Sequence, residues 1–204
     1  MMRQIWTLFF ILILPTVVIS QSFKAGFQFG VSATQVDGDN LTGYNKAGLY
    51  GGGYVNHPVG NKDNIQMEIS FIQKGSRKNA KPSDGIYDSY LMRLNYVEVP
   101  LLYIHNFRKY FAVQAGFSTA YLISSTEKDN YGTFDNSSSV PSFRNFELAG
   151  MVGMSIRFKE KWDFVFRFSY SLIPIRDTPI FSFAYYNKPQ HNNVLITALQ
   201  YHFN

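Results

Sequence analysis

Cysteine is absent from all 204 residues. That excludes disulfides, a cysteine-based metal centre and the modified cysteine of a lipoprotein. Charge is scarce as well: Asp, Glu, Lys and Arg make up 16% of the chain, against about 25% in ordinary soluble domains. Beyond Gln21 no continuous apolar run reaches the roughly 20 residues of a membrane helix; even Val97 to Ile104 is broken by Glu98 and Pro100. If the rest of the chain lives in a membrane, it must cross with strands. The net charge of +5 is modest and dispersed, which suits a solvated surface or anionic lipid headgroups and gives no reason to expect nucleic acid.

Aromatic residues, by contrast, reach 17%. The first 20 residues set where they go. Arg3 precedes an apolar run from Ile5 to Ile19, and Val18 and Ser20 fit the small-residue positions of a signal-peptidase cut. At about 15 residues the run is short for a bilayer span. Residues 1–20 therefore read as a secretory signal and 21–204 as one mature domain.

The stretch WDFVFRFSYS (162–171) places Trp162, Phe164, Phe166, Phe168 and Tyr170 at every second position. In a strand all five rings leave from one face. Period-two patterns recur in eight segments: 23–33, 46–57, 64–74, 90–105, 110–123, 146–158, 162–172 and 193–203. Their connections alternate, short after the second, fourth and sixth and long after the others. Short turns at one end and long loops at the other are the habit of transmembrane barrels. The predicted fold is all-β: an eight-stranded antiparallel up-and-down transmembrane barrel with periplasmic turns and termini and long extracellular loops.

A soluble lipocalin-like ligand carrier also has eight alternating strands. Side-chain volume separates the two. One set of alternating positions holds Phe27, Phe29, Met67, Phe71, Leu101, Phe117, Phe164, Phe166 and Phe168, while the other holds Gln28, Gly30, Gln66, Ser70, Gln114, Ser118 and Ser169. An eight-stranded barrel is just wide enough to be filled by its own side chains, so the small polar set suits the inside and the bulky set must face lipid. Tyr103, Tyr110, Tyr121, Trp162 and Tyr170 fall near strand ends, where aromatic girdles belong.

Four pieces in order, FIQKGS (71–76), NYVEVPLL (95–102), VQAGFSTAYLIS (113–124) and FRFSYSL (166–172), resemble the PorT-like family of outer-membrane β-barrel domains. The resemblance runs from Phe23 to Phe203. It implies an integral outer-membrane barrel, a role accessory to protein secretion or surface assembly, and envelope or secretion proteins as partners. It assigns no catalytic or ligand residues. Asn204 after Phe203 departs from the terminal aromatic that such chains commonly carry.

Glu68, Glu98 and Arg167 project inward at similar heights, with Arg157 lower. A carboxylate pair suits acid and base catalysis, but a buried charge needs a partner whatever the function. The four are expected to form a structural ion network, with Gln28, Gln66 and Gln114 completing its hydrogen bonds. Gly48, Gly51, Gly52 and Gly53 have no following Lys-Ser/Thr pair, so they serve barrel curvature and do not form a phosphate loop. His57, His105, His191 and His202 show no metal-ligand spacing. No cofactor, metal or catalytic residue is called for, although an outer-membrane enzyme acting on lipid stays open as an alternative. Two loops offer contact surfaces. Lys74, Arg77, Lys78 and Lys81 are placed just outside the rim, facing lipopolysaccharide phosphates. Phe181, Phe183, Tyr185 and Tyr186 form an aromatic patch suited to a partner protein.

Overall fold

The computed structural model describes residues 23–130, 132–133, 141–177 and 188–203. Among them, eight long strands make the barrel: in chain order Lys24–Asp37, Lys46–Pro58, Asp63–Lys74, Tyr90–Arg108, Phe111–Asp129, Phe146–Lys159, Trp162–Ser171 and His191–His202. Every neighbour pairs antiparallel. The first strand pairs with the eighth, Gln28 opposite Gln200 and Phe29 opposite Leu199, which closes the sheet on itself. Closure removes the free edges that an open sheet would expose to lipid. Two short pieces, Arg77–Lys78 and Gly132–Thr133, extend the sheet at the long-loop end. Both Lys24 and His202 lie at the opposite end, with the short turns.

The alternation that the sequence carries becomes two faces. Phe29, Leu49, Ile69, Leu101, Phe117, Val152 and Phe166 all point outward and are 40–63% exposed. Phe27, Trp162, Tyr201 and Phe203 gather around the short-turn rim with ring centroids 4.9–6.4 Å apart. So large an apolar surface is stable when acyl chains solvate it. A soluble carrier would need the reverse, a wet exterior around an apolar chamber.

Three results differ from the sequence reading. The fourth and fifth strands run to Arg108 and Asp129, beyond the predicted ends, because the backbone ladder continues after the lipid-facing pattern stops. The lumen is not polar throughout: Ile72, Met92, Leu94, Tyr96, Val194 and Ile196 fill its long-loop half, joined by Ile175 from the last loop. A β-bulge also interrupts the fourth and fifth strands, since Asn95 pairs with Ser124 but Tyr96 with Leu122, leaving Ile123 unmatched. One extra residue reverses the side-chain alternation beyond it. Below the bulge the even residues Gln114, Ser118 and Ala120 are buried in the lumen; above it the odd residue Glu127 is.

Candidate functional site

Among the described residues, the paired charges inside the barrel gather in four clusters. The most enclosed joins Arg167 of the seventh strand to Glu68 of the third, both with fully buried side chains. The guanidinium donates to Glu68 Oε1 at 2.6 Å and Oε2 at 2.8 Å, to Tyr50 Oη at 3.0 Å and, through Nε, to Gln114 Oε1 at 3.0 Å. Gln28 and Gln66 donate to the same carboxylate. Such bidentate, fully hydrogen-bonded geometry is what a buried pair needs to offset its desolvation. Gly153 makes room for it: a Cβ there would lie 2.8 Å from Arg167 Cγ.

Toward the long-loop end, Lys74 Nζ sits between Glu98 at 3.3 Å and Glu147 at 3.2 Å. Ser171 and Asn192 donate to Glu147, and the ammonium lies 5.2 Å from the centre of the Tyr96 ring. Higher still, Glu127 receives Arg176 at 2.7 Å and the Tyr90 hydroxyl, while Arg176 stacks on Phe143 at 3.6 Å. Toward the short-turn end, Arg157 makes a two-point pair with Asp163 at 2.8 and 3.1 Å, His202 Nε2 lies 2.9 Å from Asp163, and His202 Nδ1 meets Tyr54 Oη at 2.7 Å.

The four expected network residues therefore do not form one unit. Arg167 and Glu68 meet, with the three glutamines around them, whereas Glu98 pairs with Lys74 and Arg157 with Asp163. Lys74 itself corrects the lipopolysaccharide reading. It is the last member of the inward series Gln66, Glu68, Ser70, Ile72 and Lys74, so strand parity turns it into the lumen, where it is fully buried. Arg77, Lys78 and Lys81 do lie in the second long loop. Arg77 bonds Asn79 at 2.6 Å, Lys78 faces Asp88 at 3.6 Å, and Lys81 pairs through its backbone with Ile86. Phe181, Phe183, Tyr185 and Tyr186 lie outside the described residues, as does the signal segment 1–20.

Sequence reasoning missed Lys74, Glu127, Glu147, Asp163 and Arg176 as lumen groups. Parity pointed to Glu147 and Asp163, which alternate with Leu148 and Phe164. Nothing in the sequence marked the bulge that turns Glu127 inward. The histidines stay apart: His57 packs on Phe23 at 5.0 Å, His105 binds Asp63 at 2.7 Å, His191 meets the Ser171 carbonyl at 2.9 Å, and His202 joins Asp163. In the first long loop, Asp39 accepts from the Leu41 amide at 2.9 Å, and burial pushes its carboxyl up to about 6.

Below the Arg167 layer the barrel opens into a vestibule of about 530 Å³ at the short-turn end, with Arg157, Asp163 and His202 in its wall. Among the described residues the lumen is thus a stack of paired charges and apolar packing, with the short-turn vestibule reaching in to Gln66 and Gln114.

Comparison with known proteins agrees with this architecture. The family model described as "Outer membrane protein beta-barrel domain" matches residues 19–177. The chain belongs to that family. Among solved structures, this outer-membrane barrel is similar to Neisserial surface protein A, with 12% identity and a TM-score of 0.52 over 89% of this chain and 97% of that one. It is also similar to Ail, the attachment invasion locus protein of Yersinia pestis, with 12% identity and a TM-score of 0.51 over 88% of this chain and 98% of that one. Ail has also been solved in complex with the heparin analogue sucrose octasulfate, a structure 10% identical to this chain with a TM-score of 0.51. Among curated proteins, none matches the sequence. At these identities the likeness to Ail and Neisserial surface protein A establishes the fold alone, while the family makes this an integral outer-membrane protein.

Proposed function

We propose that the mature chain, residues 21–204, is a non-enzymatic outer-membrane barrel that works as a contact surface, accessory to protein secretion or surface assembly as its PorT-like segments imply. The observation that carries this reading is the lumen. A conduit needs a continuous wet path, whereas here Arg167, Glu68, Gln28 and Gln114 meet across the axis and apolar side chains pack above them. What remains available for work is the rim and its loops. Short turns with the termini on the periplasmic side and long loops outside follow the usual arrangement of such barrels. Arg77, Lys78 and Lys81 then meet lipopolysaccharide phosphates, an assignment in keeping with the sulfated ligand in the Ail complex. The aromatic run Phe181, Phe183, Tyr185 and Tyr186 completes the surface offered to an envelope or secretion protein.

The test uses the lack of cysteine. A single cysteine replacing Lys81 is expected to react with a membrane-impermeant maleimide on intact cells, and one replacing Lys62 only after the envelope is opened. Cross-linking from loop positions, followed by identification of co-purified envelope proteins, then reads the partner. Labelling at Lys62 in intact cells, or an empty cross-linking profile from a correctly assembled barrel, would reject the proposal.

A further inference from the structure

The vestibule at the short-turn end is not used by the surface role proposed above, and its chemistry is specific. Its volume of about 530 Å³ lies within the roughly 300–1,000 Å³ typical of small-ligand pockets. Lys24, Lys62, Arg108 and Lys109 surround the mouth. The two carboxylates in the lining are already engaged, Asp63 by Tyr103 and His105, each at 2.7 Å, and Asp163 by Arg157 and His202. Among the described residues no carboxylate lies within ion-pair distance of those four mouth cations, so the vestibule presents a surplus of positive field focused by low-dielectric walls.

The floor differs from the mouth. Asn56, Gln66, Gln114 and Gln200 line it, and their mutual bonds leave amide groups over. Gln66 Oε1 takes both Asn56 Nδ2 at 3.2 Å and Gln200 Nε2 at 3.3 Å, while Gln114 spends only its carbonyl, on Arg167. Side-chain amides carry donors and acceptors together. A bare sulfate offers acceptors alone and would leave the carbonyls of Asn56 and Gln200 unmatched. A peptide offers an N–H and a C=O at every residue, and acidic side chains on it would reach the cationic mouth.

We propose that the vestibule is a binding site for an acidic peptide segment, which enters from the short-turn end with its backbone on the Asn and Gln floor and its carboxylates against Lys24, Lys62, Arg108 and Lys109. On the orientation proposed above, that segment would belong to a periplasmic protein. The site itself depends neither on that orientation nor on the outer loops.

Ser155, half-buried in the vestibule wall, supplies the test. In the cysteine-free chain, Ser155→Cys gives one thiol that a bulky maleimide can modify after the barrel has folded in a neutral detergent, so loss of folding does not enter. Binding of a fluorescein-labelled hexaglutamate peptide is read by anisotropy. The expected results are saturable binding to the unmodified barrel, protection of the introduced thiol by the peptide, and at least a tenfold loss of affinity after maleimide modification. A combined K62E, R108E and K109E variant, confirmed as folded by its heat-modifiable gel mobility, is expected to lose at least tenfold as well. Binding that charge reversal removes but the maleimide adduct leaves intact would overturn the proposal, because it reports rim electrostatics without entry. Competition by a hyaluronan hexasaccharide as strong as that of the peptide would overturn it in favour of an anionic glycan. Displacement of the peptide from the unmodified barrel by phosphatidylglycerol in mixed micelles, as complete as that by unlabelled peptide, would overturn it in favour of lipid headgroups.

Discussion

Replacing Arg167 with Leu tests the principal buried contact of the lumen. The substitution removes four hydrogen bonds at 2.6 to 3.0 Å and leaves Glu68, fully buried, with only Gln28, Gln66 and Tyr50 as donors. Removing one partner of a buried pair costs about 3–5 kcal/mol, chiefly because the remaining charge is uncompensated. At about 1.4 kcal/mol per factor of ten, that lowers the folded-to-unfolded ratio by roughly two to three and a half orders of magnitude. Urea unfolding of the barrel in phospholipid vesicles, followed by tryptophan fluorescence and by heat-modifiable mobility, measures it. The companion variant, Arg167→Leu with Glu68→Leu, has no charge left to desolvate and is expected to recover most of the loss. The double-mutant cycle should give a coupling of at least about 2 kcal/mol, inside the 0.5–3 kcal/mol range found for residues in contact. A single variant within about 0.5 kcal/mol of the native chain, or a double variant as weak as the single one, would refute the reasoning.

Three further outcomes follow from named positions. A cysteine at Lys74 should stay unmodified by a polar maleimide in the folded barrel, whereas one at Lys81 should react at once, since the first sits inside and the second on the loop; rapid reaction at both would return Lys74 to the rim. Phe166→Arg, on the lipid face near mid-strand, should destabilise the barrel by about 2–4 kcal/mol in vesicles, and a neutral result would mean that this face does not touch acyl chains. Asp39 holds its proton more tightly when folded, near 6 against 3.8 for the ordinary side chain. Its contribution is therefore fully present below about pH 4 and is lost as pH rises to about 6, on the order of 3 kcal/mol in all. Asp39→Asn should flatten that slope in unfolding experiments run between about pH 4 and 8, and an unchanged slope would remove Asp39 as its source.

Most of the architecture was legible because two periodicities coincide. Phe164, Phe166 and Phe168 alternate with Val165, Arg167 and Ser169, and in so narrow a barrel volume alone decides which set can be inside. That Glu68, Glu98 and Arg167 are inward charges at matching heights was legible for the same reason, but not that Arg167 takes Glu68 while Glu98 takes Lys74. Lys74 was misread because its strand end was treated as the start of a loop, although parity carries through the last paired residue. Tyr90, Met92, Leu94 and Tyr96 were hard to place because Leu91 and Val97 on the opposite face are apolar too, so the pattern loses contrast toward the long-loop end. Arg176 reaches the interior from a loop, and no local period reports a contact of that kind.

The unmatched Ile123 has a consequence for anyone editing the upper half of the fifth strand. Removing this single residue would straighten the strand without shifting its register, because Ser124 would follow Leu122 directly and still face Asn95. Removing a matched residue such as Ser125 instead would throw Glu127 out of the interior and swing Lys128 in. Grafts, tags or loop exchanges at this end therefore have to be counted from Ser124 and not from the membrane, and an alignment that closes the gap at Ile123 will compare inner residues with outer ones.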